Sequence, residues 1–114
     1  MEYRILRKEN GDVPLEHFLA DLPQKHHAKT LREIDILEKY GTNLTEPHVK
    51  HIEGKLWELR IKFASDISRI FYFFAIDSDI ILLSGFIKKT QKTPMSEINK
   101  AKSYLYDYER RKMK

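Results

Sequence analysis

Three lysines stand where an apolar strand runs out and a helix begins, in Gly85-Phe86-Ile87-Lys88-Lys89-Thr90-Gln91-Lys92-Thr93-Pro94. A helix start offers free backbone N–H groups and the positive end of its dipole, so Lys88, Lys89, Lys92 and that terminus can converge on one phosphate. Repulsion among the ammonium groups lowers a lysine pKa and eases proton transfer. Upstream, in Leu56-Trp57-Glu58-Leu59-Arg60-Ile61-Lys62, alternation puts Glu58, Arg60 and Lys62 on one strand face and Trp57, Leu59 and Ile61 on the other. Arg69 sits in the most apolar stretch of the chain, where an unpaired charge is expensive to bury. Antiparallel pairing of the two strands would bring it beside Arg60. Two guanidiniums side by side repel each other unless an anion lies between them. The chemistry these residue types offer is the gripping of a phosphate backbone.

Plainer readings stand beside that one. Glu58 and Arg60 fit a cross-strand ion pair on a solvated face, and the lysines fit a basic turn that keeps a sheet edge soluble. His51 lies near Lys50 and Lys55 and is a candidate for touching substrate. His26 and His27 read as the exposed start of a helix. The five histidines show no tight ligand spacing, so no metal or other cofactor is expected. No P-loop, dinucleotide glycine pattern or GxSxG occurs, which argues against nucleotide hydrolysis and serine chemistry.

The elements that must hold these residues follow from pattern. Tyr3 to Arg7 reads as a strand, with Asn10-Gly11-Asp12 as turn chemistry and Asp12 as cap of a short helix from Val13 to Leu19. After Pro23 a second helix runs to about Tyr40, with Ala28, Leu31, Ile34 and Leu37 as its apolar face and Gly41 as its stop. Four strands come next: Val49 to Glu53, Leu56 to Phe63, Ser68 to Ile76 and Asp79 to Ile87. The short connections, including a turn over Ala64 to Ile67, predict an antiparallel meander. The last helix begins with Thr93 as cap and Pro94 in first position, and carries Met95, Ile98, Ala101, Leu105 and Tyr108 on one stripe. Its tail, Glu109 to Lys114, is expected to fray. The order is α+β, with helices over one sheet face and the other face free for a ligand.

The 114 residues fit one domain, residues 1–114, with 41% hydrophobic and 33% charged residues. No apolar run reaches the roughly 20 residues that span a bilayer, and the N-terminus lacks a signal-peptide core, so a cytoplasmic protein is expected. The absence of cysteine excludes disulfides and thiolate chemistry. Residues 86 to 114 carry nine Lys and Arg against three Asp and Glu, so the net charge of +4 comes from the last quarter of the chain. An anionic partner such as nucleic acid fits that balance.

The ordered set Leu56-Trp57-Glu58-Leu59-Arg60, Ser68-Arg69-Ile70-Phe71-Tyr72 and Gly85 to Pro94 resembles the HigB-like, phage-derived branch of the RelE/ParE toxin superfamily. The similarity runs over nearly the whole chain. It implies a RelE-like α+β fold: an antiparallel meander covered on one face by an N-terminal helical hairpin, with a C-terminal helix. It also implies a toxin that cleaves mRNA on the translating ribosome without a metal. Its inhibitor would be a HigA-like antitoxin with a helix-turn-helix domain, through which alone operator DNA would be bound. By position in the motifs, Arg60 and Arg69 would orient the phosphate and stabilise its charge, and Lys88 would join them as a catalytic residue. Glu58 would be a base or a structural partner of Arg60. Lys89, Lys92, Lys50, His51, Lys55 and Lys62 would bind RNA. No histidine occurs in the last strand or final helix, where some relatives keep a catalytic one, which tells against a histidine acid–base mechanism. Two other readings remain: a ParE-like toxin acting on gyrase, and a noncatalytic RNA-binding module. Replacing Arg69 by Ala is expected to end growth arrest and leave the fold intact.

Overall fold

The sheet is written in two-residue alternation. In the strands Leu56–Phe63 (β3) and Asp66–Phe74 (β4), Leu59, Ile61, Ile70 and Tyr72 are buried in one apolar layer, while Phe71 and Phe73 belong to a second layer on the opposite face. The run Phe71 to Phe74 thus serves both faces. Flanking strands are Tyr3–Ile5 (β1), Val49–Glu53 (β2) and Ile80–Lys88 (β5), and the order across the sheet is β1-β5-β4-β3-β2. The coordinates are a computed structural model that describes residues 2–88 and 92–112. The strands β2 to β5 form an antiparallel meander, but β1 lies parallel to β5, which makes the sheet mixed. Beyond Ile5 the chain leaves the sheet after one more bond, from Leu6 N–H to the Leu82 carbonyl at 2.9 Å.

One turn differs from expectation in a way that matters for the site. The β3–β4 connection is only Ala64-Ser65, with Ala64 at φ 54°, so β4 starts at Asp66 rather than Ser68. Ile67 is thereby paired with both Lys62 and Lys88.

The helices Pro14–Ala20 (α1) and Gln24–Tyr40 (α2) cover one face. Asp12 does not cap α1. Its Oδ1 lies 2.5 Å from His17 Nε2, and the position before the helix is held by Val13 without a side-chain cap. The buried stripe of α2 is His26, Thr30, Ile34 and Leu37, while Leu31 is 43% exposed. The three-residue spacing of Ala28 and Leu31 drifts off the face of a helix with 3.6 residues per turn, and polar residues fill those places. His26 is therefore buried, against expectation, at 3% exposure, with Nε2 3.0 Å from Ser68 Oγ. Thr30 Oγ1 donates to the His26 carbonyl at 2.9 Å. Gly85 lets α1 sit close on β5, since a Cβ there would lie 2.6 Å from Phe18 Cδ2.

The helix Met95–Lys112 (α3) covers part of the other face, which is thus not wholly free. Its Ile98, Ala101 and Leu105 pack on Leu56, Phe71, Phe73, Ile81 and Leu83, while Met95 stays 57% exposed. The tail does not fray from Glu109. The helix runs to Lys112, Arg111 donates to the Arg7 carbonyl at 2.7 Å, and Tyr108 accepts from Arg4 at 2.9 Å. Arg4 also meets Asp77 and Asp79, tying α3, β1 and the β4–β5 turn together. No helix among the described residues is long and apolar enough to cross a membrane.

Candidate active site

Where α3 stops covering the sheet, the register lays out three rows of side chains on that face. Lys50, Glu58, Phe71 and Ser84 form the first, Arg60, Arg69 and Phe86 the second, and Lys62, Ile67 and Lys88 the third. Directly paired residues in such rows have Cβ atoms about 5 Å apart. Arg60 and Arg69 are such a pair, so the expected placement of Arg69 beside Arg60 across the two strands is realised. Arg60 is half-buried, and Arg69 is only 1% exposed.

A buried guanidinium beside another cation requires compensation, and Glu58 supplies it. Its Oε1 lies 3.0 Å from Arg69 Nε, and both side chains are 1% exposed. Where Glu58 has a structural partner, then, it is Arg69 and not Arg60. The second carboxylate oxygen, Oε2, accepts from Thr93 Oγ1 at 3.2 Å. Compensation of Arg69 is incomplete, because its Nε is poorly aligned with Glu58 and Nη1 has no hydrogen-bond partner among the described residues. Burial pushes the Arg69 pKa below its ordinary value, Glu58 opposes that shift and Arg60 adds to it. An arginine stays cationic through such shifts, so the centre offers a desolvated positive charge with an N–H that no described residue accepts.

Lys88 belongs to the same cluster. Its pKa is lowered, first by burial and then by Arg69, with Arg60 and Lys50 adding and Glu58 opposing. Lys50, opposite Glu58, and Lys62, beyond Arg60, are exposed on the same strand faces. The Lys62 carbonyl accepts from Lys29. Lys92 is exposed just before Thr93, and Lys89 lies outside the described residues. Two expected RNA-binding residues fall elsewhere. His51 pairs with Trp57 on the α1/α2 face, its ring 5.0 Å from the indole and Nε2 2.7 Å from the Gly54 carbonyl. Lys55, in the β2–β3 turn, pairs with Glu109 of α3 at 2.5 Å. Among the described residues no three His, Asp or Glu side chains gather as metal ligands.

Thr93 is the site residue that sequence reasoning missed. It was expected to cap α3, and its hydroxyl instead reaches Glu58. The available signal was its place between Lys92 and Pro94, since a residue before proline is held extended and its side chain is set apart from the helix.

The family model described as Phage derived protein Gp49-like (DUF891) matches residues 17–105, a span that includes every row above. The chain belongs to this Gp49-like family. No curated protein matches it in sequence. In fold, this Gp49-like chain is similar to a chain of the archaeal RelE–RelB complex from Pyrococcus horikoshii OT3, with TM-score 0.50 and 24% identity over 82% of this chain and 100% of the other.

Proposed function

We propose that this protein is the toxin of a type II toxin–antitoxin pair, HigB-like in kind, and that it cuts mRNA on the ribosome in the cytoplasm. The observation that carries the reading is the pairing of Arg60 with Arg69 beside a half-buried Lys88, on the part of the sheet that α3 leaves uncovered. In cleavage by the adjacent 2′-hydroxyl, that oxygen gives its proton to water and attacks the phosphorus, negative charge builds on the phosphorane, and the bond to the 5′-oxygen breaks as that oxygen takes a proton, leaving a 2′,3′-cyclic phosphate. Arg60, half-buried at the surface, stabilises the phosphorane directly, and Arg69, buried beside it, adds its charge from behind, where preorganised cations act most strongly. Lys88, its pKa lowered, is the group suited to move a proton to the leaving oxygen. Both oxygens of Glu58 are engaged inside the protein, so it serves to hold Arg69 rather than as the base. The ribosome positions the message and offsets a sparse set of acid–base groups. Lys50, Lys62, Lys89 and Lys92 hold flanking phosphates. A HigA-like antitoxin with a helix-turn-helix domain neutralises the toxin and carries any operator binding.

The test is induced expression without the antitoxin, followed by mapping of RNA 5′ ends, with Arg60→Ala and Lys88→Met as controls. New ends inside ribosome-occupied coding regions, absent from both variants, are expected. Growth arrest with intact messages and broken DNA would instead identify a gyrase-directed toxin. RNA that is bound but left whole even with ribosomes present would identify a noncatalytic module.

A further inference from the structure

Among the described residues, the carboxylate that neutralises Arg69 accepts a hydrogen bond from one hydroxyl, that of Thr93. The terminal torsion of a glutamate is soft and roughly two-fold, so a carboxylate bound at one oxygen still turns about its axis. Glu58 is engaged at both oxygens: Oε1 in an ion pair with Arg69 Nε at 3.0 Å, poorly aligned as a hydrogen bond, and Oε2 accepting from Thr93 Oγ1 at 3.2 Å. Of its register neighbours, Phe71 stacks on Phe86 at 5.6 Å and has no side-chain donor, and the exposed Lys50 makes no ion pair with the carboxylate. Thr93 is itself constrained, because Pro94 restricts it to extended backbone. Its hydroxyl therefore reaches the carboxylate from the segment that joins the lysines to α3.

We infer that Thr93 is a positioning residue, whose hydroxyl fixes the plane of Glu58 and through it holds the buried Arg69 charge in place behind the substrate phosphate. The inference rests on the proposed role of Arg69 in phosphate binding. Thr93 touches no reacting atom; it acts through Glu58.

Two variants and two readouts test this. Thr93→Val keeps the shape and removes the hydroxyl, and Thr93→Ser keeps the hydroxyl. In cleavage of ribosome-bound message, Thr93→Val is expected to lower kcat about tenfold, the scale of a lost hydrogen bond to a charged group, with KM changed less than about threefold. Thr93→Ser is expected to stay within about threefold of wild type, because the bond survives. Independently of activity, the Arg69 Nε–H signal in arginine-selective NMR should exchange with water about tenfold faster in the Val variant and at the wild-type rate in the Ser variant. Wild-type kcat in Thr93→Val, or equal loss in both variants, overturns the inference. If the wild-type protein cleaves no message, the proposed function fails. The Arg69 signal then decides alone: faster exchange in the Val variant alone supports the positioning role, and unchanged exchange refutes it.

Discussion

Removing the Glu58 carboxylate should destabilise the protein more than removing the whole ion pair. In Glu58→Ala the Arg69 guanidinium, 1% exposed, is left beside Arg60 with no counter-charge. Breaking a buried pair from one side costs about 3–5 kcal/mol, because the surviving charge stays desolvated. Unfolding entropy near the melting point is about 2.1 cal/mol/K per residue, or roughly 0.24 kcal/mol/K for a chain of this length, so the melting temperature should fall by about 12–20 °C. That loss is a large share of the roughly 6–17 kcal/mol that holds a domain of this size together. The double variant Glu58→Leu with Arg69→Met removes both charges and keeps the volume. It should melt within about 1–2 kcal/mol of wild type, or above it.

By the same reasoning Arg69→Ala, which the sequence led us to expect would leave the fold intact, should destabilise it, since that variant orphans Glu58 in turn. The double variant is the sounder control: folded, and inactive for want of the guanidinium. Thermal and urea unfolding followed by circular dichroism provide the assay. A Glu58→Ala protein within about 1 kcal/mol of wild type, or a double variant less stable than either single one, would refute the account of this pair.

Two other predictions follow from separate parts of the molecule. Gly85→Ala sets a Cβ 2.6 Å from the Phe18 ring, so α1 must shift, at a cost of about 1–3 kcal/mol and a fall of roughly 4–12 °C in melting temperature; an unchanged melting temperature would show that Phe18 turns aside freely. Lys88 has a pKa below its ordinary 10.5, and a bound phosphate favours its charged form, so affinity for a short 2′-deoxy-substituted RNA should weaken as pH rises through the alkaline range. Lys88→Met should flatten that dependence in fluorescence anisotropy. Without ligand the sign reverses: between the lowered folded value and 10.5 the unfolded chain binds more protons, so the Lys88 contribution to stability rises with pH.

What could be read from the sequence depended on whether the deciding interaction was local. The bounds of β2 and β3 follow from alternation broken at Gly54-Lys55, where Gly54 takes φ 53°, and they match the expected ones. The start of β4 was hidden because Ala64 occupies a positive-φ position that its residue type does not advertise. On α2, hydropathy picked out Leu31 and passed over His26 and Thr30, whose burial depends on hydrogen bonds to Ser68 and within the helix. The stripe on α3 announced a buried face, but nothing within the helix says which side of the sheet receives it. In the site, the Arg60–Arg69 pairing was legible because a hairpin carries it. The Glu58–Arg69 contact was not, since it runs diagonally across the pair and depends on which rotamers the cover of α3 leaves available.

The position of the site is set by where the apolar cover ends. Along this face Phe73, Leu56 and Phe71 lie under Ile98, Ala101 and Leu105, and the next rows carry Arg60, Lys62 and Lys88. Glu58 stands at the boundary, in register with Phe71, and Thr93 stands at the matching boundary of α3. A helix begun one turn earlier would bury Arg60 along with Arg69 and demand a partner for the second guanidinium. One begun a turn later would open Phe71 and Glu58 to water and weaken the grip on Arg69. The Thr93-Pro94 junction therefore fixes two quantities at once: how much apolar surface the sheet hides, and how desolvated the arginine is. Under the proposed function, stability and anion affinity are coupled at that junction. Substitutions there should move both, whereas changes at the exposed Lys50 or Lys62 should move affinity alone.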